Sequence, residues 1–498
     1  MNRRTQATYA DLSTTTYTYG KGNRLTQVVD SISGTTTRIY DGLDRLTSEA
    51  TPQGSVSYTY DTAGRRTNMT VAGQPSVVYS YDNANRLTQI TQGSSTVTFG
   101  YDAAGRRTSL TLPNGILVEY TYDTASRVTG ITYKQGTTVL GNLTYEYDKA
   151  GNRTKVGGTW ARSGLPQSVT STAYNAANEQ TTFGDKTLTY DNNGNLTSIT
   201  DASGTTLYTW NARNQLTSIS GPTVNASFVY DGLRRREKKT INGNLTEFLY
   251  DGVNPVQETS GAAVLANILG GLGIDEPFSR TDVQAGSTSH LLSDALGSVI
   301  AGTDPSGTVQ TEYSYDPFGK TTATGVSDSN PYQYTGREND GTGLYYYRER
   351  YYNPNLQRFM SEDPLAFAGQ SCQAQKRPQV LNLYSYVENN PLIYIDPLGL
   401  DKEKKDCLAG YFRCFPNCLI PPGLTTLISE SEFALEYFYS AEAWSYAASK
   451  GLTTPLRSSI FRTILRNARA ANPVAALTAL NYCIYDCLID EARCEGLL

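Results

Sequence analysis

A single histidine, His290, stands in a chain of 498 residues. Zinc proteases of the HExxH type need two imidazoles, and Ser-His-Asp or Cys-His systems need one as base, so all are excluded away from the neighbourhood of His290. Catalysis must draw on carboxylates, Arg, Lys, Tyr or Cys. Long apolar runs are missing too, and no stretch reaches the length of about 18 residues that would mark a membrane-spanning helix. The opening MNRRTQATYADLSTTTYTYG has two adjacent Arg but no apolar segment, unlike a Sec signal. Export is therefore expected by another route or through a missing upstream part. Nor is there an excess of positive charge: 42 Lys and Arg against 47 Asp and Glu give a net charge of −5. That balance argues against a surface built for phosphate backbones, so nucleic acid is not the expected partner of the bulk of the chain. What is plentiful is Tyr, with 37 residues against 13 Phe and 3 Trp. Such aromatic content with only 18% charged residues belongs to a folded chain.

The tyrosines are periodic. Tyr-Asp, a short turn and then Arg-Leu-Thr or a relative recur as YDGLDRLT from Tyr40, YDTAGRRT from Tyr60, YDNANRLT from Tyr81, YDAAGRRT from Tyr101 and YDTASRVT from Tyr122. The series begins with YGKGNRLT at Tyr19 and continues through Tyr147, Tyr174, Tyr190, Trp210, Tyr230 and Tyr250, twelve copies in all. Successive intervals from Tyr19 to Tyr122 are 21, 20, 21, 20 and 21 residues, the signature of a repeat array. Each unit reads as a hairpin, because the segments flanking the turn alternate in polarity and are rich in strand-favouring residues. The Asp and the Gly or Asn three residues later supply Asx-turn and positive-φ chemistry. Twelve hairpins give roughly 24 strands, on the order of 115 Å of sheet at about 4.8 Å per strand. Open sheets beyond about ten strands curl, so a coiled wall is expected, wet on part of both faces.

These units resemble those of the RHS and teneurin-like families, whose repeats form a spiral β-shell, and the resemblance covers about residues 17 to 400. It extends to HLLSDALGSV from His290, YSYDPFG from Tyr313, the segment YTGRENDGTGLYYYRERYYNPNLQRFMSEDPLAF from Tyr334 and LNLYSYVENNPLIYIDPLGL from Leu381. Those segments look like the RHS repeat-associated core that plugs the shell. The resemblance implies a mainly β protein with a repeat shell over residues 1–260, a core over 261–400 and a variable C-terminal region over 401–498. It also implies self-cleavage after Leu400, at the end of Pro391 to Leu400, by an intramolecular pair of aspartates. Position in the motif nominates Asp363 and Asp396, with Arg358 nearby. Two carboxylates sharing a proton supply both base and acid without histidine. Asp-Pro is equally turn chemistry, and both readings stand at this point. His290 reads as a packed or exposed strand residue. Tyr345, Tyr346, Tyr347, Tyr351 and Tyr352 around Arg348 and Arg350 read as strand wall ahead of a base-stacking surface.

After Leu400 the alternation stops. DKEKKD reads as a linker, followed by helical signals: a capping box at Ser429 and Glu432, and Pro455 and Pro473 opening further helices. A small all-α domain is expected. Six of the seven Cys lie here, with Cys407, Cys414 and Cys418 spaced as the mirror of Cys483, Cys487 and Cys494. On a helix the second set falls within roughly 40° of one face, so antiparallel alignment would pair Cys407 with Cys494, Cys414 with Cys487 and Cys418 with Cys483. Zinc held by four thiolates is the rival, weakened by the absence of CxxC, and no metal or cofactor is expected. Disulfides point to an oxidising destination, secreted or at the cell surface. The Arg457, Arg462, Arg466 and Arg469 stripe reads as a solvated helix face, and the tail holds no catalytic constellation.

Two functions remain open from sequence. One is a carrier whose shell and core present or deliver the C-terminal region as an effector cargo, with an immunity protein and a secretion apparatus as partners. The other is a surface or wall-associated adhesion protein with a disulfide-pinned tail. A compact 98-residue tail has a diameter of roughly 33 Å, too large for one turn of about 24 short strands to seal, so the shell is expected to be open or partial or to belong to a longer protein.

Overall fold

The alternation in each repeat folds as a hairpin in the computed structural model, which describes residues 3–364 apart from 163 and 167, residues 382–400, and the backbone of 403–404. The unit at Tyr60 shows the construction. Strand Gly54–Tyr60 pairs antiparallel with Arg66–Val71, and the register shifts between Thr59 and Tyr60. The intervening turn is held by Asp61: its N–H donates to the Arg65 carbonyl at 2.9 Å, and its Oδ1 accepts the N–H groups of Ala63 and Arg65, both at 2.9 Å. Gly64 sits at φ 83°, where a side chain would be strained, and Asn85 and Ser126 occupy the same left-handed position in other units.

The arginine that follows the turn ties each unit to the next. Arg65 Nε donates to Asp61 Oδ2 at 2.7 Å, its Nη1 reaches the Asp82 carbonyl at 3.3 Å, and its guanidinium lies 4.8 Å from the Tyr81 ring centre. Arg45, Arg86, Arg106 and Arg127 repeat this over Tyr60, Tyr101, Tyr122 and Tyr147. Each tyrosine reaches backwards: Tyr60, Tyr81 and Tyr101 donate to the carbonyls of Leu46, Arg66 and Leu87 at 2.6, 2.8 and 2.8 Å. The expected role of Tyr-Asp, packing and turn capping, is what these contacts perform. The ladder through Arg was not expected.

Strands pair in chain order into two antiparallel sheets, one of 15 strands from Gln6 to Gly157 and one of 16 from Thr172 to Gly325. Helical structure among the described residues is confined to 3₁₀ turns. The strands outnumber the roughly 24 expected because hairpins continue past residue 260. Asp294, Asp304 and Asp316 make the repeat turn there, each accepting on Oδ1 the N–H four residues ahead.

The expectation of a wall wet on both faces is corrected. Apolar residues occupy alternate positions, so Val56 and Tyr58 turn inward while Ser57 and Thr59 are exposed. The inward set, with Val56, Ile90, Val97 and Ile116 fully buried, joins Leu249, Val256, Leu269, Phe278 and Leu292 of the second sheet in one apolar layer. Overall composition averages two unlike faces and so conceals a dry one. Polar links between the sheets advance in step along both: Arg213 to Asp30 at 2.5 Å, Arg235 to Glu49 at 2.7 Å, Arg107 to Glu276 at 2.5 Å and Asn114 to the Asp304 carbonyl at 2.9 Å. Desolvation offsets most of the attraction in such pairs, so their main effect is to fix register.

A four-stranded sheet, Glu338–Asn339, Tyr345–Tyr347, Arg350–Asn353 and Arg358–Phe359, packs on the start of the second sheet. Leu344, Tyr346, Tyr351 and Met360 meet Leu216, Ile219 and Phe228. Arg236, fully buried, donates to Glu338 at 2.6 Å and to Asp340, and its own N–H donates to the Tyr346 hydroxyl at 2.8 Å. The six Cys singled out in the tail, the arginine stripe and the expected all-α domain lie outside the described residues.

Two expectations follow from this packing. Asp61→Ala removes three hydrogen bonds from a turn and one rung of the ladder, and should lower unfolding free energy by about 2 kcal/mol in urea titration, with Asp61→Asn costing less because it keeps the backbone acceptor. His290 is buried in strand Ser287–Ser293, and burial pushes its imidazole down to about 4 against a smaller opposing effect of Asp304. Between pH 6.5 and 4 the unfolded chain binds the proton that the folded one refuses, so stability should fall by on the order of 3 kcal/mol as pH drops through that window. Glu237, whose carboxyl is raised by burial, acts in the opposite sense. The carboxylates of the repeat turns and Glu49, held below their usual range against burial by their arginines and turn N–H groups, add a fall of their own below about pH 5. The comparison is therefore with His290→Gln above that pH, where the fall should be largely absent; an unchanged slope there would exclude His290 as its source.

Candidate functional site

The tyrosine-rich segment builds the floor of the site. Tyr345–Tyr347 and Arg350–Asn353 pair as a tight hairpin, with Tyr345 opposite Tyr352 and Tyr347 opposite Arg350. Their rings bury one another: Tyr352 lies 4.5 Å from Tyr386, and Tyr347 lies 5.5 Å from Tyr386 and 5.8 Å from Phe359. Rings so packed are strand wall, and they offer no exposed surface on which bases could stack.

The hairpin tip holds the Asp396 to Leu400 segment. Glu349 N–H donates to the Leu398 carbonyl at 3.2 Å, Arg350 Nε donates to the Gly399 carbonyl at 2.5 Å, and Arg348 donates to the Pro397 carbonyl. Gly399 has φ 73° and lies against the backbone, where a Cβ would collide with the Tyr347 carbonyl oxygen. Glycine is therefore required twice over, by conformation and by space. Ile395 and Leu398 pack with Ile274, Leu296 and Val253, and Leu400 is itself buried.

Asp396 is 2% exposed, and its Oδ1 accepts the Leu400 N–H at 2.9 Å. Its Oδ2 meets Arg350 Nη2 at 3.4 Å, and the same nitrogen lies 2.9 Å from Asp363 Oδ2. The two aspartates named from the motif are thus brought to one guanidinium, which also rests 3.6 Å over the centre of the Phe359 ring. The cation between them is Arg350. Arg358 is engaged elsewhere, donating to the Asn178 carbonyl at 3.2 Å and to Asn382 at 2.5 Å and lying over the rings of Tyr174 and Tyr384. Asp396 thus makes a turn and lies beside a second carboxylate.

A second buried ion cluster backs the first. Asp275 accepts from Arg337, and from Arg348 at 2.7 and 3.1 Å, so one carboxylate from a connection in the second sheet orients the arginine that holds Pro397. Arg337, Arg348 and Arg350 face Asp275, Asp363 and Asp396, three guanidinium groups against three carboxyl groups. Sequence reading missed Asp275, Arg337 and the role of Arg348 and Arg350. The available signal was the Arg-Glu-Arg inserted among five tyrosines, since a buried aromatic wall tolerates arginine only where partners are provided.

Among the described residues no cluster of His, Cys, Asp and Glu has the makeup of a metal site, and no helix is long and apolar enough to cross a membrane.

The teneurin YD-shell family model matches this chain over residues 52–156 and 117–392. Curated relatives include the tRNA3(Ser)-specific nuclease WapA of Bacillus spizizenii, 34% identical over 266 residues, which are 52% of this chain and 11% of that protein. Double-stranded DNA deaminase toxin A of Burkholderia cenocepacia is 27% identical over 266 residues, 46% of this chain and 18% of that one. The chain therefore spans under a fifth of the length of these two relatives. Among solved structures, TcdB2-TccC3 superposes with a TM-score of 0.56 at 20% identity, covering 78% of this chain and 27% of that one. The same complex without its hypervariable C-terminal region gives 0.57 at 19% identity, over 80% and 27%. Those likenesses establish the shared fold, and with a family match that takes in both the repeat sheets and the core, this chain belongs to the teneurin YD-shell family.

Proposed function

We propose that this chain is a toxin carrier: residues 1–260 as shell and 261–400 as core hold residues 401–498 as an effector cargo, which the core cuts loose after Leu400. The observation that carries the reading is the meeting of Asp363 and Asp396 at Arg350, beside the backbone of Leu400. Support for a toxic cargo comes from relatives that are similar over 52% and 46% of this chain and are named as a tRNA nuclease and a DNA deaminase toxin. An immunity protein, an export route to the cell surface or medium, and a cargo stabilised by the three nested disulfides belong to the same reading.

The chemistry is peptide hydrolysis by a carboxylate pair. One aspartate, ionised, takes a proton from water as the water oxygen bonds to the Leu400 carbonyl carbon. The other, protonated, gives its proton to the leaving nitrogen of Asp401 as the C–N bond breaks. Asp396 already binds the Leu400 N–H, one peptide unit from that carbonyl. Arg350 keeps two carboxylates close without prohibitive repulsion and fixes the Gly399 carbonyl, which sets the orientation of the adjoining peptide.

A time course of freshly purified protein on a denaturing gel tests this. The wild type should give two bands, near the masses of residues 1–400 and 401–498. Asp363→Asn and Asp396→Asn should each slow the cut by about 10²- to 10⁴-fold. Arg350→Lys should slow it too, whereas Arg358→Lys should cut at close to the wild-type rate. A single uncut wild-type band, or cleavage indifferent to both aspartates, would sink the proposal.

A further inference from the structure

We infer that the proposed cut falls within the loop of one last repeat hairpin, and that strand pairing holds the two products together after the peptide bond is broken. The inference rests on the cleavage reading above. Asp396-Pro397-Leu398-Gly399-Leu400 shares two hydrogen bonds with a repeat turn, although its flanking strands pair two residues further on, Ile395 with Glu403 where Tyr315 pairs with Thr321. Asp396 Oδ1 accepts the N–H four residues on at 2.9 Å, the Gly399 N–H donates to the Asp396 carbonyl at 3.4 Å, and Gly399 is left-handed. The turn at Asp316-Pro317-Phe318-Gly319-Lys320 has the same bonds, at 2.9 and 3.0 Å, with Gly319 at φ 89°. At Asp316 the turn joins two strands of the second sheet, Val309–Tyr315 and Thr321–Gly325. At Asp396 it joins Tyr394–Ile395 to Glu403–Lys404, registered antiparallel as Tyr394 with Lys404 and Ile395 with Glu403.

One arm of this hairpin therefore belongs to the core and the other to the tail. The core arm is immobilised: Ile395 is buried against Ile274 and Leu296, the Tyr394 N–H donates to the Asn390 carbonyl at 3.2 Å, and Asp396 is clamped by Arg350. The tail arm is held by its backbone pairing to that fixed edge. Hydrolysis of the Leu400 to Asp401 bond opens the loop and leaves the ladder standing. To depart, the tail must then peel this arm away from Tyr394–Ile395, the reverse of strand addition. A two-residue ladder is short, so the hold is a latch that a modest perturbation can undo.

The test replaces Glu403 and Lys404 together by proline in the full chain, which removes whichever N–H the ladder uses. After cleavage the wild-type fragments should co-elute on gel filtration in native buffer. The double proline variant should release residues 401–498 about tenfold faster or more, as the loss of one or two backbone hydrogen bonds implies. Wild-type fragments that separate at once, or a variant that retains the tail as long as the wild type, would overturn the latch. If the wild type stays uncut, the cleavage reading has failed and hydrogen exchange of the intact chain decides the pairing by itself. Slow exchange across residues 394–404 that is lost in the proline variant upholds it, and fast exchange in both refutes it.

Discussion

One side chain ties every unit of the first sheet to the next: the arginine that follows each turn. It closes its own turn through Asp, lies on the next unit's tyrosine and bonds the next turn's carbonyl, while that tyrosine reaches back to the preceding strand. Individually these contacts are exposed enough to be weak. Repeated at fixed spacing they make a rail along one edge of the first sheet, and a long run of hairpins gains one register and one curvature. In the second sheet the position is taken by Asn195 and Gln215 and once again by an arginine, Arg235 over Tyr250, and the backward tie persists through Trp210, Tyr230 and Tyr250. There the rail gives way to packing against the core.

Burial of charge is the second organising constraint. Arg236, Arg337, Arg348 and Arg350 are buried, each paired with carboxylates contributed by another segment of the chain. Hydrophobic contacts alone would let the sheets and the core slide over one another, because Tyr, Val and Leu surfaces fit in many registers. A buried arginine fits in only one. The same device places the Asp396 segment: a carboxylate from a connection in the second sheet, Asp275, orients Arg348, and Arg348 holds Pro397. The geometry of the candidate cleavage site is therefore tied to the assembled second sheet.

Much of this was legible in the residues. Tyrosine spacing located the hairpins, Asp and Gly located the turns, and the DPLGL motif pointed to Asp363 and Asp396. The choice of Arg350 over Arg358 was not legible, since both lie in or beside the same tyrosine-rich segment, both are buried, and only the fold decides which guanidinium meets the aspartates. The dry inner face was hidden because counting residues merges two faces that alternation keeps apart. The final hairpin was hidden as well, because the second arm begins where the repeat pattern stops and composition turns charged.

By itself, the sequence determined the local structure: hairpins, turns, their number per repeat and the motif that ends the core. Period-two alternation and turn chemistry act between near neighbours and are written in the chain directly. Tertiary structure decided which sheet faces which, which cation sits between the two aspartates, and that the last turn spans the proposed cut. The facing of the sheets depends on residues more than a hundred positions apart in the chain meeting in space, such as Arg213 with Asp30, and so does the seating of the core, as in Arg236 with Glu338. Distant pairs are selected by the desolvation cost of leaving any of them unmatched, a cost that exists only once the sheets have closed on one another.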